Sequence, residues 1–515
     1  MIWPAARSGG WRRGARLGAR TFLRHGDVML RTLAGLWPAD SAMPARAQRL
    51  LLLRRVLDGT LYDALPHEFH EERTGAGEYI PLRLRRPSVR YGLARVVVED
   101  AVALLFGQGR FPRLVSADRG VQDALARLGA EMGLGQAMTE AALRGSVGSV
   151  ALHLRVLGHR PFVEVLESAY LTPEWDAAEP DRLVQVVERY KVPGAALVAA
   201  GQEAAAGEAY WFERRFTAEE EQWFVPQPVG VAGPMRRDAG RSVRHGLGFV
   251  PVVWIKNLPG GEGPDGGCTF ASAIETGIEI DYQLSQAGRA LKYSADPTLL
   301  IREPAGVEGE LVRGAGNALV LSERGDARLL EIGGGASAAV LDYVRFLREL
   351  ALEAVHGNRA DPQRLGVPAS GRAMAMMQQG LLWLAGNLRV SYGEGGLVPL
   401  ARMLLRAHAR YPLRVGGAVL PALDAEAPLG LAWPAWEVPG SEERARDAGT
   451  LRTLADAGLM SRQSAVGLVA AEYGLADADA ELRRIGEERD GAAVAQGSSF
   501  LSEVDAPGSG PGEPS

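Results

Sequence analysis

Three stretches between Thr269 and Tyr411 carry apolar residues at helical spacing, and the rest of the chain is organised around them. From Thr269 to Tyr293, Ile274, Ile278, Leu284 and Leu291 fall near one face, with Glu275, Glu279, Gln283 and Gln286 on another. From Ser337 to His356, Val340, Val344, Leu347, Ala351 and Val355 oppose Asp342, Arg345, Glu349 and Glu353, and the i,i+4 pair Arg345 with Glu349 supports the exposed side. The third stretch starts at Ser370 with Met374, Met377, Leu381, Leu384 and Leu388. It resumes at Leu400–Ala409 after Gly393, Gly395, Gly396 and Pro399, which predict a bend. Between the first two stretches, Leu299–Ile301, Leu319–Leu321 and Leu329–Ile332 are set apart by glycines and predict three short strands. Between the second and third, Gly357–Ala369 holds Asp361, Pro362, Gly366 and Pro368, which predict a loop.

The flanks read as α+β. Leu50, Leu51, Leu53 and Val56 predict a helix over Ala45–Leu57, Ser88 is read as the N-cap of a buried helix Val89–Phe106, and Glu131–Leu143 as another helix. Strand signals follow at Val150–Val156, Phe162–Val165, Leu183–Tyr190, Tyr210–Phe216 and Phe249–Ile255, with Trp211, Trp223 and Phe224 as sheet-face aromatics. Near the other end, helices are expected over Ser441–Ala457, Arg462–Glu472 and Ala478–Glu488, with a stop at Gly458 and an N-cap at Ser461. Beyond Asp490 the composition is Gly, Ser, Pro and acid, and predicts disorder.

Composition narrows the function more than it identifies it. The chain of 515 residues is long enough for several domains, and its net charge of −5 argues against a surface that is basic throughout and wraps nucleic acid. Cys268 is the only cysteine, so no disulfide framework or cysteine-rich metal site is expected, and a reducing compartment fits. No run of about 18 apolar residues predicts a membrane helix. Arg7, Arg12, Arg13, Arg16, Arg20 and Arg24 all precede the first acid, Asp27, so the start reads as a solvated basic arm, a composition that an organelle transit peptide also shows.

Chemistry-bearing motifs are sparse. Gly261, Gly263 and Gly266 match a G-x-G-x-x-G before a helix, but no acid-ended strand follows at βαβ spacing, so a flexible glycine linker is the expectation. His67 and His70 with Glu68, Glu71 and Glu72 lack the fuller ligand set of a metal site and read as a charged turn. Neither a P-loop nor a nucleophile–base motif occurs. No cofactor, no metal and no catalytic residue is expected, and the balance moves from enzyme toward an assembly role.

Several local strings, in order, resemble the portal proteins of tailed double-stranded DNA bacteriophages, of the siphovirus head-to-tail connector type. They are Tyr62-Asp63-Ala64-Leu65-Pro66, Leu105-Phe106-Gly107, Gly145-Ser146-Val147-Gly148-Ser149, Pro173-Glu174-Trp175-Asp176, Gly248-Phe249-Val250-Pro251-Val252-Val253 and Gly458-Leu459-Met460-Ser461 before Asp479–Ile485. The resemblance implies a portal fold: residues 1–44 a basic arm, 45–268 an α+β wing, 269–296 a first stem helix and 297–335 a small β clip. It makes 336–357 a second stem helix, 358–369 a tunnel loop, 370–440 a long bent wing helix with an extended segment, 441–489 a helical crown and 490–515 a disordered tail.

It also implies a function. Portals form a homo-oligomeric ring, dodecameric in the capsid, at one vertex of the virion. They are assembled in the host cytoplasm and carry double-stranded DNA through a channel during packaging, retention and ejection. The implied partners are the major capsid protein, a terminase, the head-tail adaptor and a scaffolding protein, with no membrane. A conduit should not grip its DNA, because each neutralised phosphate strengthens binding. About twelve chains of net charge −5 sum to roughly −60, which disfavours adhesion. Basic residues at the channel should then be few, and Arg359, Arg364, Arg289 and Lys292 are the candidates. The alternatives are a soluble α+β enzyme with an unrecognised site, and an adaptor or scaffold protein that uses the basic N-terminal arm.

Overall fold

A computed structural model describes residues 28–38, 40, 42–295, 298–302, 326–330, 335–356, 379–436, 441–473 and 479–488. The N-terminal arm up to residue 27, the middle clip triplet, the 357–369 loop, the start of the third helical stretch and the tail beyond 490 lie outside the described residues. The chain divides into two compact units, residues 1–366 with 376–436, and residues 367–375 with 437–515.

The first unit opens with α1 (Val28–Ala34), α2 (Ala45–Leu57), α3 (Leu93–Phe106), strand β1 (Arg113–Val115), α4 (Arg119–Glu131) and α5 (Leu134–Gly145). It then becomes β-rich: β2 (Ser149–Leu157), β3 (Arg160–Leu166), β4 (Leu171–Trp175), β5 (Leu183–Pro193), a short α6 (Gly194–Ala199), β6 (Ala209–Phe216), β7 (Glu220–Phe224), β8 (Gln227–Pro228), β9 (Arg237–Arg244) and β10 (Val252–Lys256). Next come α7 (Ile274–Ala295), β11 (Thr298–Arg302), β12 (Asp326–Leu330) and α8 (Gly335–Ala354). The last helices, α9 (Gln379–Arg389) and α10 (Val398–Arg410), are joined through a π-helical segment, Val390–Leu397, and β13 (Arg414–Val415), β14 (Ala418–Val419) and β15 (Gly430–Ala432) close the unit.

Two antiparallel sheets, β10-β2-β3 and β4-β5-β6-β7-β9 with β8 beside β6, share a core of Ala151, Leu166, Val186, Phe216 and Val252. A larger core gathers Leu105, Leu125, Met138, Leu152, Tyr392 and Leu404 from the helices and β2. The predicted α+β class holds, and helix α2 has the bounds the pattern predicts.

Other expectations need correction. Helix α3 begins at Leu93 rather than Val89, because Val89 N donates to Ser285 Oγ and Tyr91 N to the Asp281 carboxylate, which holds 88–92 out of the helix. The helix expected from Glu131 begins at Leu134, after Gly133 in the left-handed region (φ 62°). Its neighbour α4 was not anticipated, although Val121, Ala124, Leu125 and Leu128 are buried at helical spacing behind an Asp118 cap. Strands β7 and β9, too rich in charge to show an apolar alternation, extend the sheet of β5 and β6.

Charge is also buried where the two sheets meet. Arg214 Nε donates to Glu188 (2.7 Å) and Nη1 to Glu221 (3.3 Å), while His153 Nδ1 lies 3.3 Å from Glu164 and its ring packs on Phe216. Burial pushes His153 below its ordinary 6.5, against the pull of Glu164. The hydrogen bond with His153, helped by Arg214, holds Glu164 down at about 2 despite burial. Burial pushes Glu188 the other way, upward. A histidine depressed in the folded state contributes stability above its ordinary value and loses it as pH falls through that range, because the unfolded chain takes the proton first. The melting temperature should therefore fall further between pH 7 and 5 in the wild type than in His153→Asn, as differential scanning fluorimetry would record; equal slopes would contradict the assignment.

The second unit is described by itself. Helix α11 (Ser441–Asp456) stops as Gly458 takes φ 70° and Leu459 N returns to Leu454 O. Ser461 then caps α12 (Arg462–Tyr473) by accepting from Ser464 N at 3.1 Å, as predicted, and α13 spans 479–488.

Candidate functional site

The first two predicted helices form one rod. Helix α7 has 22 residues, which is about 33 Å of helix, and α8 has 20. They run antiparallel: Ser272, just before α7, donates to Ala354 O at the end of α8 (3.0 Å), and at the far end β11 pairs antiparallel with β12 from Thr298↔Leu330 to Arg302↔Asp326. The apolar stripe of α7 divides between two neighbours. Ile280 and Leu284, with Ala273 just before the helix, cluster with Val340, Val344, Leu347 and Ala351 of α8 and Val355 just beyond it, whereas Ile274 and Ile278 enter the larger core.

Polar residues fix the first half of α7 to the α+β body. Buried Asp281 accepts from Tyr62 Oη and from Tyr91 N, both at 2.7 Å. Burial raises the pKa of Asp281 and, with the Asp281 charge beside it, that of Tyr62. Tyr282 Oη donates to Arg85 O (3.1 Å), and burial pushes this phenol up to about 12. Glu275 accepts from Met29 N (3.2 Å) and Leu30 N (2.8 Å), which seats α1 on α7.

The glycine-rich approach to α7 is clamped, which overturns the flexible-linker expectation. Asp265, with a side chain 0% exposed, accepts two hydrogen bonds from Arg46 (2.7 and 2.8 Å), one from Arg49 (3.2 Å) and one from Ser149 Oγ (2.5 Å). Asn257 Nδ2 donates to Gly267 O and Thr269 Oγ1, both at 2.8 Å, and Asn257 Oδ1 accepts from Tyr392 Oη at 3.0 Å. At Gly266 a Cβ would lie 2.6 Å from Asn257 N and Leu258 O, so the loop needs glycine there for close approach. The preceding strand, β10, pairs antiparallel with β2, which is not the parallel βαβ frame of a dinucleotide site.

Where the glycines and Pro399 interrupt the apolar pattern, the helix changes form. Helix runs from Gln379 to Arg410 with a π-helical segment at Val390–Leu397, where Gly393 lies against Leu431 and Trp433 and Gly396 against Ile255. The wider π turn carries Tyr392, fully buried, to the Asn257 clamp.

Among the four predicted channel residues, Arg289 forms an ion pair with Glu72 and Lys292 is exposed on the last turn of α7. Arg359 and Arg364 lie outside the described residues. The chain leaves α8 and re-enters α9 at one place, because Gly380 lies against His356 and the His356 ring stands 4.8 Å from that of Trp383. His67 Nδ1 bonds Glu71 (2.9 Å), and among the described residues no group of His, Cys, Asp and Glu could hold a metal ion. The positioning residues Asp265, Asn257, Asp281 and Tyr392 were not singled out from the sequence; Asp281, between buried Ile280 and Tyr282, breaks the polar face of its helix.

A second line of apolar residues on α8 is exposed. Tyr343 (45% exposed), Phe346 (55%) and Leu350 (44%) fall with Ala339 at 4–3–4 spacing, about a quarter turn round the helix from the Val340–Val344–Leu347–Ala351 line.

No family model and no curated protein matches the chain. Among solved structures it is similar to a chain in the virion of a native gene transfer agent particle, with a TM-score of 0.34 and 17% identity over 73% of this chain and 88% of that one. It is also similar to chains in the neck of an empty gene transfer agent particle computed with C6 symmetry (TM-score 0.34) and of a native particle computed with C12 symmetry (0.33), each at 14% identity with the same coverage. Likeness this loose shows neither family nor function.

Proposed function

We propose that this chain is a portal-type ring subunit, a conduit for double-stranded DNA at one vertex of a virion. The observation that carries the reading is the α7–α8 rod: two antiparallel helices anchored at one end to an α+β body, tipped at the other by paired strands, with a second line of apolar residues exposed on α8. Rods set side by side would wall a channel, and the β11–β12 tip would offer the docking surface for a terminase and then a head-tail adaptor. The sequence strings in portal order support the same reading. The work assigned to the chain is mechanical, without a catalytic group of its own. Arg289, neutralised by Glu72, would then add little grip on the DNA phosphates, as a conduit requires.

Native mass spectrometry of the full chain tests the reading. One dominant species of about twelve protomers is expected. A monomer or dimer at every concentration would defeat it.

A further inference from the structure

We infer that Arg110 and Arg389 form a binding site for a phosphate group carrying two negative charges, as inorganic phosphate or as a phosphate monoester. Arg389 is the last residue of α9, and Arg110 stands in the turn after α3, where its N–H donates to Gly107 O (2.9 Å). Both side chains reach the same strip of backbone. Arg389 Nη2 donates to Pro434 O (3.0 Å) and Arg110 Nη1 to Trp436 O (3.1 Å). The two acceptors are two residues apart in the chain, so these anchor points lie at most about 7 Å from each other.

Cations drawn together and partly out of water are ordinarily paired with an acid. Among the described residues, neither arginine makes an ion pair; their partners are neutral. The Arg389 guanidinium lies 3.2 Å from the centre of the Trp436 ring and 4.8 Å from that of Trp433, and aromatic faces attract a cation without bringing a charge. Arg389 Nε is buried without a hydrogen-bond partner. Burial, with the charge of Arg110 beside it, pushes Arg389 down to about 10. An oxyanion would meet all of these conditions at once, because charge-assisted bonds to guanidinium groups are the strong ones. Two positive charges match the about −1.5 to −2 of a phosphate monoester better than the single charge of a carboxylate or a phosphodiester. The two indoles hold the plane of Arg389, so less side-chain freedom is lost on binding. The site depends on neither the ring nor the channel.

Isothermal titration of the full-length chain with sodium phosphate, at an ionic strength fixed by sodium chloride, tests the assignment. One saturable site with a millimolar or tighter Kd is expected. Arg110→Gln, which leaves the Arg389 stack in place, should weaken it about tenfold or more with the circular dichroism unchanged, and Arg110→Lys should recover part of the loss. Adenosine monophosphate separates the two sources: displacement of phosphate marks a monoester site, and its failure to displace marks a site for the free ion. Displacement by a DNA duplex without terminal phosphates would overturn the dianion assignment in favour of a backbone site. Absence of saturable binding would overturn the inference, and so would equal affinity in wild type and Arg110→Gln, the mark of an adventitious ion only.

Discussion

Replacing Asp265 with alanine is expected to destabilise the first unit by about 3 kcal/mol, toward the lower end of the cost of breaking a buried ion pair. The carboxylate is fully buried and gathers Arg46, Arg49 and Ser149. The two arginines are about a quarter exposed, so each can turn partly to water, which keeps the loss from reaching the top of the range. Arg49→Ala removes only the more peripheral partner and should cost less than about 1 kcal/mol. Because Asp265 ties α2 and β2 to the loop that enters α7, its loss should also prevent assembly. Urea unfolding followed by tryptophan fluorescence reads the stability, and Trp254, 5.5 Å from the Arg46 guanidinium, is a local reporter. Equal costs for Asp265→Ala and Arg49→Ala would contradict the clamp.

Gly145→Ala is expected to cost about as much, for a steric reason. The added Cβ would meet Tyr392 Oη at 2.2 Å and Val150 Cγ1 at 3.0 Å, and both residues are completely buried. Overpacking of a tight core costs about 1–3 kcal/mol, and a contact this close belongs at the upper end. Tyr392→Phe alone should cost about 1–3 kcal/mol, because Asn257 Oδ1 loses its donor. In the double variant the worst clash is gone, so the two costs should sum to more than the measured total. Strict additivity in the same urea assay would show that the α5–π-segment contact is looser than described.

These sites mark the boundary of what the sequence could tell. Local signals carried well: the apolar spacing of α2 and α8, the alternation in β5, and the Gly458 stop before the Ser461 cap all depend on residues within a turn or two of one another. Contacts between distant parts of the chain did not. Ser88 reads as a cap, yet Asp281 and Ser285 claim the backbone of Tyr91 and Val89 and delay the helix. The glycines before α7 read as a linker, yet the buried Asp265 and Asn257 beside them make the segment one of the most constrained in the unit. Strand β9, with arginines at 237, 241 and 244, has no apolar alternation and is fixed by its register with β7.

The functional elements divide in the same way. The two helices of the rod were legible because each has its own period, but their antiparallel pairing is known only from the contacts at the two ends. The second apolar line of α8 was not legible, because Tyr343, Phe346 and Leu350 lie among the charged residues of the predicted polar side. The pairing of Arg289 with Glu72 joins residues far apart in the chain, which no local pattern can report.

Negative-stain microscopy of the purified full-length chain tests the central claim most directly. A ring of subunits around a central hole is the predicted image. A field of compact particles with no hole, at concentrations where the protein is folded, would contradict the account.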